Sequence, residues 1–239
     1  MRPAAAPWGA AAALKVGGVG SPSAPHPGND ALHPDGCGAW GLVPPSPGFP
    51  DQEQPLLITE IQLETPRLIL RLPRLEDFPR YAELFMHPTA AQHIGGPMHR
   101  HEAWRKFLQM PGAWMLQGFG MFAVLEKSTG LWVGQAGPWQ PDGWPGTEIG
   151  YSFHHDAWGK GYATEACAAS MDWAFDVLGW HEVIHSISPA NIASQSVARR
   201  LGSRNRGPGT LPPPLDTHAV DIWGQTREEW IANRRGVTA

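Results

Sequence analysis

Cysteine is nearly absent: Cys37 and Cys167 are the only two in 239 residues. Two thiols build neither a disulfide framework nor a cysteine-rich metal site. Basic charge is short as well. Lys and Arg total 18 against 22 Asp and Glu, a formal net charge of −4. No basic excess exists to drive contacts with nucleic-acid phosphates. No apolar run reaches membrane-spanning length. The run Ala10 to Leu14 is too short for the core of an export signal, and only Arg2 precedes it. These absences lead to the expectation of a cytoplasmic protein with no nucleic-acid and no membrane partner. Monomer and homodimer both stay open.

What is present divides at about Pro55. Residues 1–55 are rich in Pro, Gly and Ala and lack helical or alternating periodicity. Such a segment buries too little apolar area to offset its ordering entropy. It reads as a disordered extension, or as a translation start placed too far upstream. A folded domain is expected over residues 56–235, a length that supports a proper core.

Leu68, Leu70 and Leu72 alternate with Arg67, Ile69 and Arg71, a strand pattern opened by Pro66. Helices are expected over Glu76 to Met86 and over His99 to Gln109, the second ended by Pro111-Gly112. Phe119 to Glu126 and Leu131 to Trp139 read as strands joined at Ser128-Thr129-Gly130. Thr147 to His154 is the next strand. A helix follows from Gly161 to Leu178, closed by Gly179. Then come a strand at Val183 to Ile187, a helix from Asn191 to Leu201 stopped by Gly202, and a strand at Val220 to Gln225. Thr226 to Asn233 reads as a short helical turn or tail. The pattern implies a mixed α/β (α+β) domain with a largely antiparallel sheet.

The stretch Gly146 to Ala166, GTEIGYSFHHDAWGKGYATEA, is the most informative. A strand through Ile149, Tyr151 and Phe153 breaks at His155-Asp156. A loop with Gly159 and Gly161 then leads directly into a helix. Strand, glycine turn and helix aim free amides and a positive dipole end at one point, where a phosphate fits. A dinucleotide fingerprint would need glycine at Thr164, and the P-loop pattern is absent. A second motif runs Asn191-Ile192-Ala193-Ser194-Gln195-Ser196-Val197-Ala198-Arg199-Arg200-Leu201-Gly202. Its spacing alone also suits plain capping by Asn191, with Ser194 in the first turn.

Together the two motifs resemble the cofactor-binding motifs of GNAT N-acetyltransferases, in particular the ribosomal-protein-alanine N-acetyltransferase-like branch. The resemblance runs from about Leu63 to Trp230. It implies the GNAT fold, with the sheet splayed between its fourth and fifth strands to admit a pantetheine arm. It also implies acetyl-CoA as cosubstrate, no metal, and a primary-amine acceptor that is a protein N-terminus or a small molecule. The cofactor-binding residues implied are Phe153, His154, Trp158, Gly159, Lys160, Gly161, Tyr162, Ala163, Thr164, Asn191 and Ser194. The family usually has Arg or Gln at the place of Trp158, and Lys160 also reads as a solvated loop lysine.

Acyl transfer to an amine needs a proton acceptor for the amine and a donor for the leaving thiolate. Glu148, opening the central strand, is the candidate base; the other reading is that it orients a water or fixes a bulge. Many GNATs protonate the thiolate with a tyrosine at the position of Ala198, which is missing here. The resemblance to the ribosomal-protein branch implies the serine of the Asn-x-x-Ser motif in its place, which is Ser194; a hydroxyl is a poor acid but a good donor to a thiolate. Glu165 reads as structural, in the first turn of its helix. The histidine pairs His99/His101 and His154/His155 lack metal-ligand spacing. Trp114, Trp139 and Trp144 either wall the acceptor pocket or cover the sheet. Helices 76–86 and 99–109, with the loops near Gly95-Gly96 and Pro141 to Gly146, are expected to form the acceptor side. The missing tyrosine, and Ser203 where the family usually has phenylalanine, keep an alternative open: a catalytically weak GNAT domain that acts as an acyl-CoA-binding sensor or partner module.

Overall fold

The computed structural model describes residues 61–237, with side chains as far as Arg234. The extension expected over residues 1–55 lies outside them. The strands are β1 Gln62–Glu64, β2 Leu68–Arg71, β3 Phe122–Glu126, β4 Trp132–Trp139, β5 Glu148–Phe153, β6 Glu182–Ile187, β7 Arg204–Gly209 and β8 Val220–Thr226. They form one sheet in the order β1-β2-β3-β4-β5-β6-β8-β7. The helices are α1 Phe78–Met86, α2 Pro88–Ala91, α3 Arg100–Gln117, α4 Tyr162–Asp176, α5 Ile192–Leu201 and α6 Arg227–Val237. No helix among the described residues is long and apolar enough to cross a membrane.

Alternation along the strands sorts the core onto two faces. Ala123 and Trp132 meet Tyr81, Ala82 and Phe85 of α1 and Ala103 and Phe107 of α3. Val124, Val133, Ile149 and Phe153 meet α4 through Ala166, Cys167, Met171 and Ala174. Burying a side chain such as Met171, with no exposed surface, is worth about 1.5–3 kcal/mol.

Every strand pair is antiparallel except β5 with β6. That parallel contact is a single register pair, Glu148 with Ile184, beside the bond from Ile184 N to Thr147 O at 2.9 Å. Beyond it the strands part. β6 pairs instead with β8 along its whole length, from Glu182 to Ile187. The sheet is therefore splayed where the resemblance implies, between what the sequence reading counts as the fourth and fifth strands.

Several boundaries differ from expectation. Helix α3 does not stop at Pro111-Gly112 but continues to Gln117 and ends at Gly118, φ 76°. Trp114 explains the extension. It is buried against Phe122 and Trp173 at 4.9 and 5.6 Å, and its Nε1 donates to Met121 O at 3.1 Å. That anchoring offsets the amide lost at Pro111. The tail after β8 is a full helix, closed at its start by reciprocal bonds between Thr226 and Glu229 and pinned by buried Trp230, whose Nε1 donates to Asp172. Strands β1 and β7 were not foreseen. β7 carries Gly207 and Pro208, poor strand formers, and exists through its pairing with β8, with a register shift between Asn205 and Pro208.

Candidate active site

A cavity of about 570 Å³ opens where β5 and β6 separate. Its floor comes from Gln135 and Trp139 of β4 and from Glu148 to Ser152 of β5. Its walls include Tyr81 and Phe85 of α1, Lys106 and Met110 of α3, and Asn191 and Ser194 at the start of α5.

Glu148 occupies the apex of the splay and is 8% exposed. Trp144 Nε1 and Ser186 Oγ both donate to its Oε2, at 2.6 and 2.8 Å. Oε1 lies beside Gly150, where a Cβ would stand 3.7 Å from it and 2.5 Å from the Met121 methyl that fills the space. Glu148 thus lines the cavity with Oε2 anchored by two side-chain donors. Burial pushes the carboxyl above the ordinary carboxylate range, and the bonds from Trp144 and Ser186 pull it partway back. A raised carboxylate pKa is what a proton acceptor working near neutrality requires.

Asn191 caps α5, its side chain accepting from Ser194 N at 3.1 Å. This places Ser194 on the cavity wall with its hydroxyl toward β5. Tyr151 OH donates to Ser194 Oγ at 2.9 Å. Burial raises the pKa of this phenol, so it remains a hydrogen donor. Sequence reasoning took Tyr151 only as a strand residue. Its position in the Glu-Ile-Gly-Tyr motif was the available signal.

The glycine turn lies outside the cavity wall, at the N-terminus of α4. Gly159 and Gly161 adopt φ of 73° and 79°, the left-handed region glycine favours. Gly161 is the N-cap residue and offers no side-chain cap. The first amides of a helix have no intrahelical partner, so those of Tyr162, Ala163 and Thr164 are left for an anion. Arg67 ties the turn down. Its Nη1 donates to Lys160 O at 2.7 Å, while Nε donates to buried Glu165 at 2.7 Å. Thr65 Oγ1 and Arg67 N also donate to Glu165. Glu165 is structural, as expected, but through this clamp on the start of β2.

The side chains of four residues that the resemblance assigns to the cofactor are engaged within the fold. The Phe153 side chain belongs to the core under β4, and its carbonyl accepts from Trp158 Nε1 at 2.9 Å. His154 does not line the cavity: Glu83 and Asp156 carboxylates lie 3.3 and 2.8 Å from its ring nitrogens. It shares the α1 face of β5 with Glu148 and Ser152, but at the far end of the strand, where Glu83 of α1 meets it. The Tyr162 hydroxyl donates to Glu126, which leaves only its amide for a ligand. Lys160 leans toward Glu126, 3.9 Å away, yet stays half-exposed at the turn. Trp139 and Trp144 wall the cavity, while Trp114 is core.

His185 and Ser203 form a lock beneath the splay. The His185 Nδ1–H donates to Ile149 O at 2.8 Å, and the Ser203 hydroxyl donates to Nε2 at 3.1 Å. Gln225 Nε2 in turn donates to Ser203 Oγ at 2.9 Å. Burial holds the His185 pKa below its ordinary value, against the pull of the bond to Ile149, so the ring is neutral. The serine that departs from the usual Gly-Phe pattern thus completes a buried polar network.

Residues 67–204, more than half the chain, match the family model described as an acetyltransferase (GNAT) domain. The chain belongs to the GNAT acetyltransferase family. The matched span begins at Arg67, the clamp on the glycine turn, and includes Glu148, the turn itself and Ser194. Among curated relatives, the chain is similar to the uncharacterized protein YkkB of Bacillus subtilis, 37% identical over 87 residues, 36% of this chain and 51% of that protein. It therefore spans about half the length of that relative. It is also similar to the uncharacterized N-acetyltransferase p20 of Bacillus licheniformis, 28% identical across 61% of this chain and 83% of that one. An acetyltransferase structure from Agrobacterium tumefaciens superposes with TM-score 0.62 at 29% identity, covering 74% of this chain and all of that one. A putative ribosomal-protein-serine acetyltransferase from Vibrio cholerae, at 20% identity and TM-score 0.60 over 71% of this chain and 99% of that one, shares the GNAT fold.

Proposed function

We propose that this GNAT domain transfers the acetyl group of acetyl-CoA to a primary amine, on a protein N-terminus or a small molecule, in the cytoplasm. The observation that carries the reading is the convergence of Glu148 and the Tyr151–Ser194 pair in one cavity at the parting of β5 and β6. Acetyl-CoA would supply the activated thioester. The uncapped amides of α4 and the flanking glycines suit its diphosphate, and the separated edges of β5 and β6 suit its pantetheine arm.

Glu148 then has a defined task. Its carboxylate accepts the proton that the amine loses on attack, directly or through one water. Ser194 donates to the sulfur as the carbon–sulfur bond breaks, and Tyr151 OH holds the Ser194 oxygen in place. The hydroxyl stabilises the thiolate as a hydrogen-bond donor, which needs no strong acid. The resemblance of the motifs to the ribosomal-protein-alanine branch supports including N-terminal peptides among the acceptors.

Thiol release from acetyl-CoA, measured against a panel of amines and N-terminal peptides, tests the proposal together with calorimetry in the presence of chelator. Binding of acetyl-CoA and release of thiol that depends on acceptor are the expected results. Absence of acetyl-CoA binding at high micromolar concentration would remove the acetyltransferase reading for this chain.

A further inference from the structure

Among the described residues, Lys106 is the one lysine or arginine that lines the cavity. Elsewhere in the fold Arg67, Arg71 and Arg80 are matched with the carboxylates of Glu165, Asp77 and Asp156. Lys106 projects from α3 into the cavity, its Nζ 5.4 Å above the Phe85 ring. Among the described residues no carboxylate lies within ion-pair distance of it. A lysine that merely decorates a helix keeps its ammonium in water. Here burial lowers the ammonium's pKa, and no neighbouring charge opposes the shift.

The surrounding wall has hydrogen-bond donors with nothing to donate to. Tyr81 Oη and Ser152 Oγ are buried without a partner in the described residues. Their residues are only 1% and 7% exposed, and both line the same cavity. Ser152 faces the α1 side of the sheet with its cross-strand partner Gln135, a third buried polar side chain of the floor. Buried polar groups are seldom left unpaired in a folded protein. Two hydroxyls, an amide and an uncompensated ammonium in one wall call for an acceptor-rich, negatively charged ligand group.

Glu148 shares the strand face of Ser152, two strand steps away, and lines the same cavity. An amine directed to Glu148 would therefore have its own anionic substituent directed toward α1 and α3. The acetyl-CoA diphosphate does not compete for this role, because the glycine turn lies outside the cavity wall. We infer that the acceptor is an amine that also carries a carboxylate, held by Lys106 with Tyr81 and Ser152 while the amine meets Glu148. This rests on the acetyltransferase reading and narrows its substrate class to amino acids and related amino carboxylates.

The test uses pairs of α-amino acids and their carboxamides as acceptors with acetyl-CoA, for the wild type and Lys106→Met. A hydrogen bond to a charged group contributes enough for about a 10- to 100-fold preference. The expected result is that preference in kcat/KM for the free acid, carried by KM and abolished by Lys106→Met, with the KM for acetyl-CoA unmoved. Equal use of acid and amide, or a preference that survives Lys106→Met, would overturn the inference while leaving the acetyltransferase intact. A second measurement reads the site without turnover: calorimetry of N-acetylated amino acids into the CoA-loaded protein. Binding that Lys106→Met weakens about tenfold or more supports the carboxylate site even if no member of the panel is acetylated. No binding, or binding indifferent to the substitution, counts against it.

Discussion

Replacing Glu148 with glutamine preserves shape and removes one proton acceptor. The two donors on Oε2, Trp144 Nε1 at 2.6 Å and Ser186 Oγ at 2.8 Å, can both donate to the amide oxygen instead. The amide NH₂ then takes the place of Oε1, beside Gly150 and the Met121 methyl. The apex of the splay should hold, so acetyl-CoA affinity should stay nearly unchanged. What disappears is the ability to accept the amine's proton. A positioned base contributes about 10²- to 10⁴-fold. The low end applies here, because an α-amino group has a pKa near 8 and is partly neutral at the assay pH. A loss of about 10²-fold in kcat corresponds to about 2.7 kcal/mol of barrier. The pH profile gives an independent check. The raised pKa of Glu148 places the acid limb of the wild-type profile above the ordinary glutamate value of about 4.3. Glutamine should abolish that limb. The stability sign follows from the same shift. A carboxyl whose folded pKa is raised favours folding below the unfolded pKa, and that contribution is lost as pH rises through the folded pKa. Glu148→Gln should therefore gain stability relative to wild type as pH climbs above about 4.3. Wild-type turnover at saturating substrates, or an unchanged acid limb in the variant, would refute Glu148 as the base.

Ser194→Ala should lower kcat by about 10- to 100-fold with acetyl-CoA affinity intact, since its hydroxyl acts on charge present only as the thiolate leaves; stopped-flow thiol release at saturating substrates checks it. Gly161→Val should do the reverse and raise the Kd for acetyl-CoA first, because φ of 79° disfavours a β-branched residue and the diphosphate approach is crowded; calorimetry measures it. Ser203→Ala should cost about 1–3 kcal/mol by stranding His185 Nε2 and one of the two Gln225 Nε2 hydrogens, the other being held by Leu201 O, read in denaturant melts. The depressed His185 pKa adds a pH signature to those melts: the unfolded state takes up a proton that the fold refuses, so wild-type stability falls as pH drops below about 6.5.

The elements legible in the sequence are those whose signals are local. Asn191 and Gly202 bracket α5 by cap chemistry, and both act as expected. The glycine turn and the start of α4 follow from Gly159 and Gly161. The splay was legible only through the resemblance to GNAT proteins, because nothing in the alternation of Ile149, Tyr151 and Phe153 says where a neighbouring strand departs. Features made by tertiary contact were not legible. Pro111 is an ordinary stop signal until Trp114 finds Phe122 and Trp173 across the domain. Gly207 and Pro208 look like a loop until β8 supplies a strand to pair with. His154 shows the limit of neighbourhood in sequence: the two-residue period of β5 puts it on the α1 face with Glu148 and Ser152, and only the fold brings Glu83 and Asp156 against its ring.

Two sequence features keep a weak or non-catalytic domain open, and each has a structural counterpart. The position of Ala198 carries no tyrosine, but Tyr151 reaches Ser194 from β5 at 2.9 Å. A phenol is therefore bonded to the hydroxyl proposed to meet the thiolate, delivered by the strand instead of the helix. Ser203 replaces an expected aromatic, yet it is buried and bonded on both sides, to His185 and to Gln225. A polar residue left behind by decay of an aromatic site would be stranded without partners, at a cost of about 1–3 kcal/mol. Ser203 instead forms a bridge from α5 and β8 to His185 of β6, whose ring holds Ile149 O of β5. That bridge spans the two strands whose parting makes the cavity. A sensor would need only the anion site at α4. The proposed transfer would also need Glu148 and the Tyr151–Ser194 pair held in alignment, since a loss of about 1 Å can cost about 10²-fold in rate, and a bonded bridge across the parting strands suits that need.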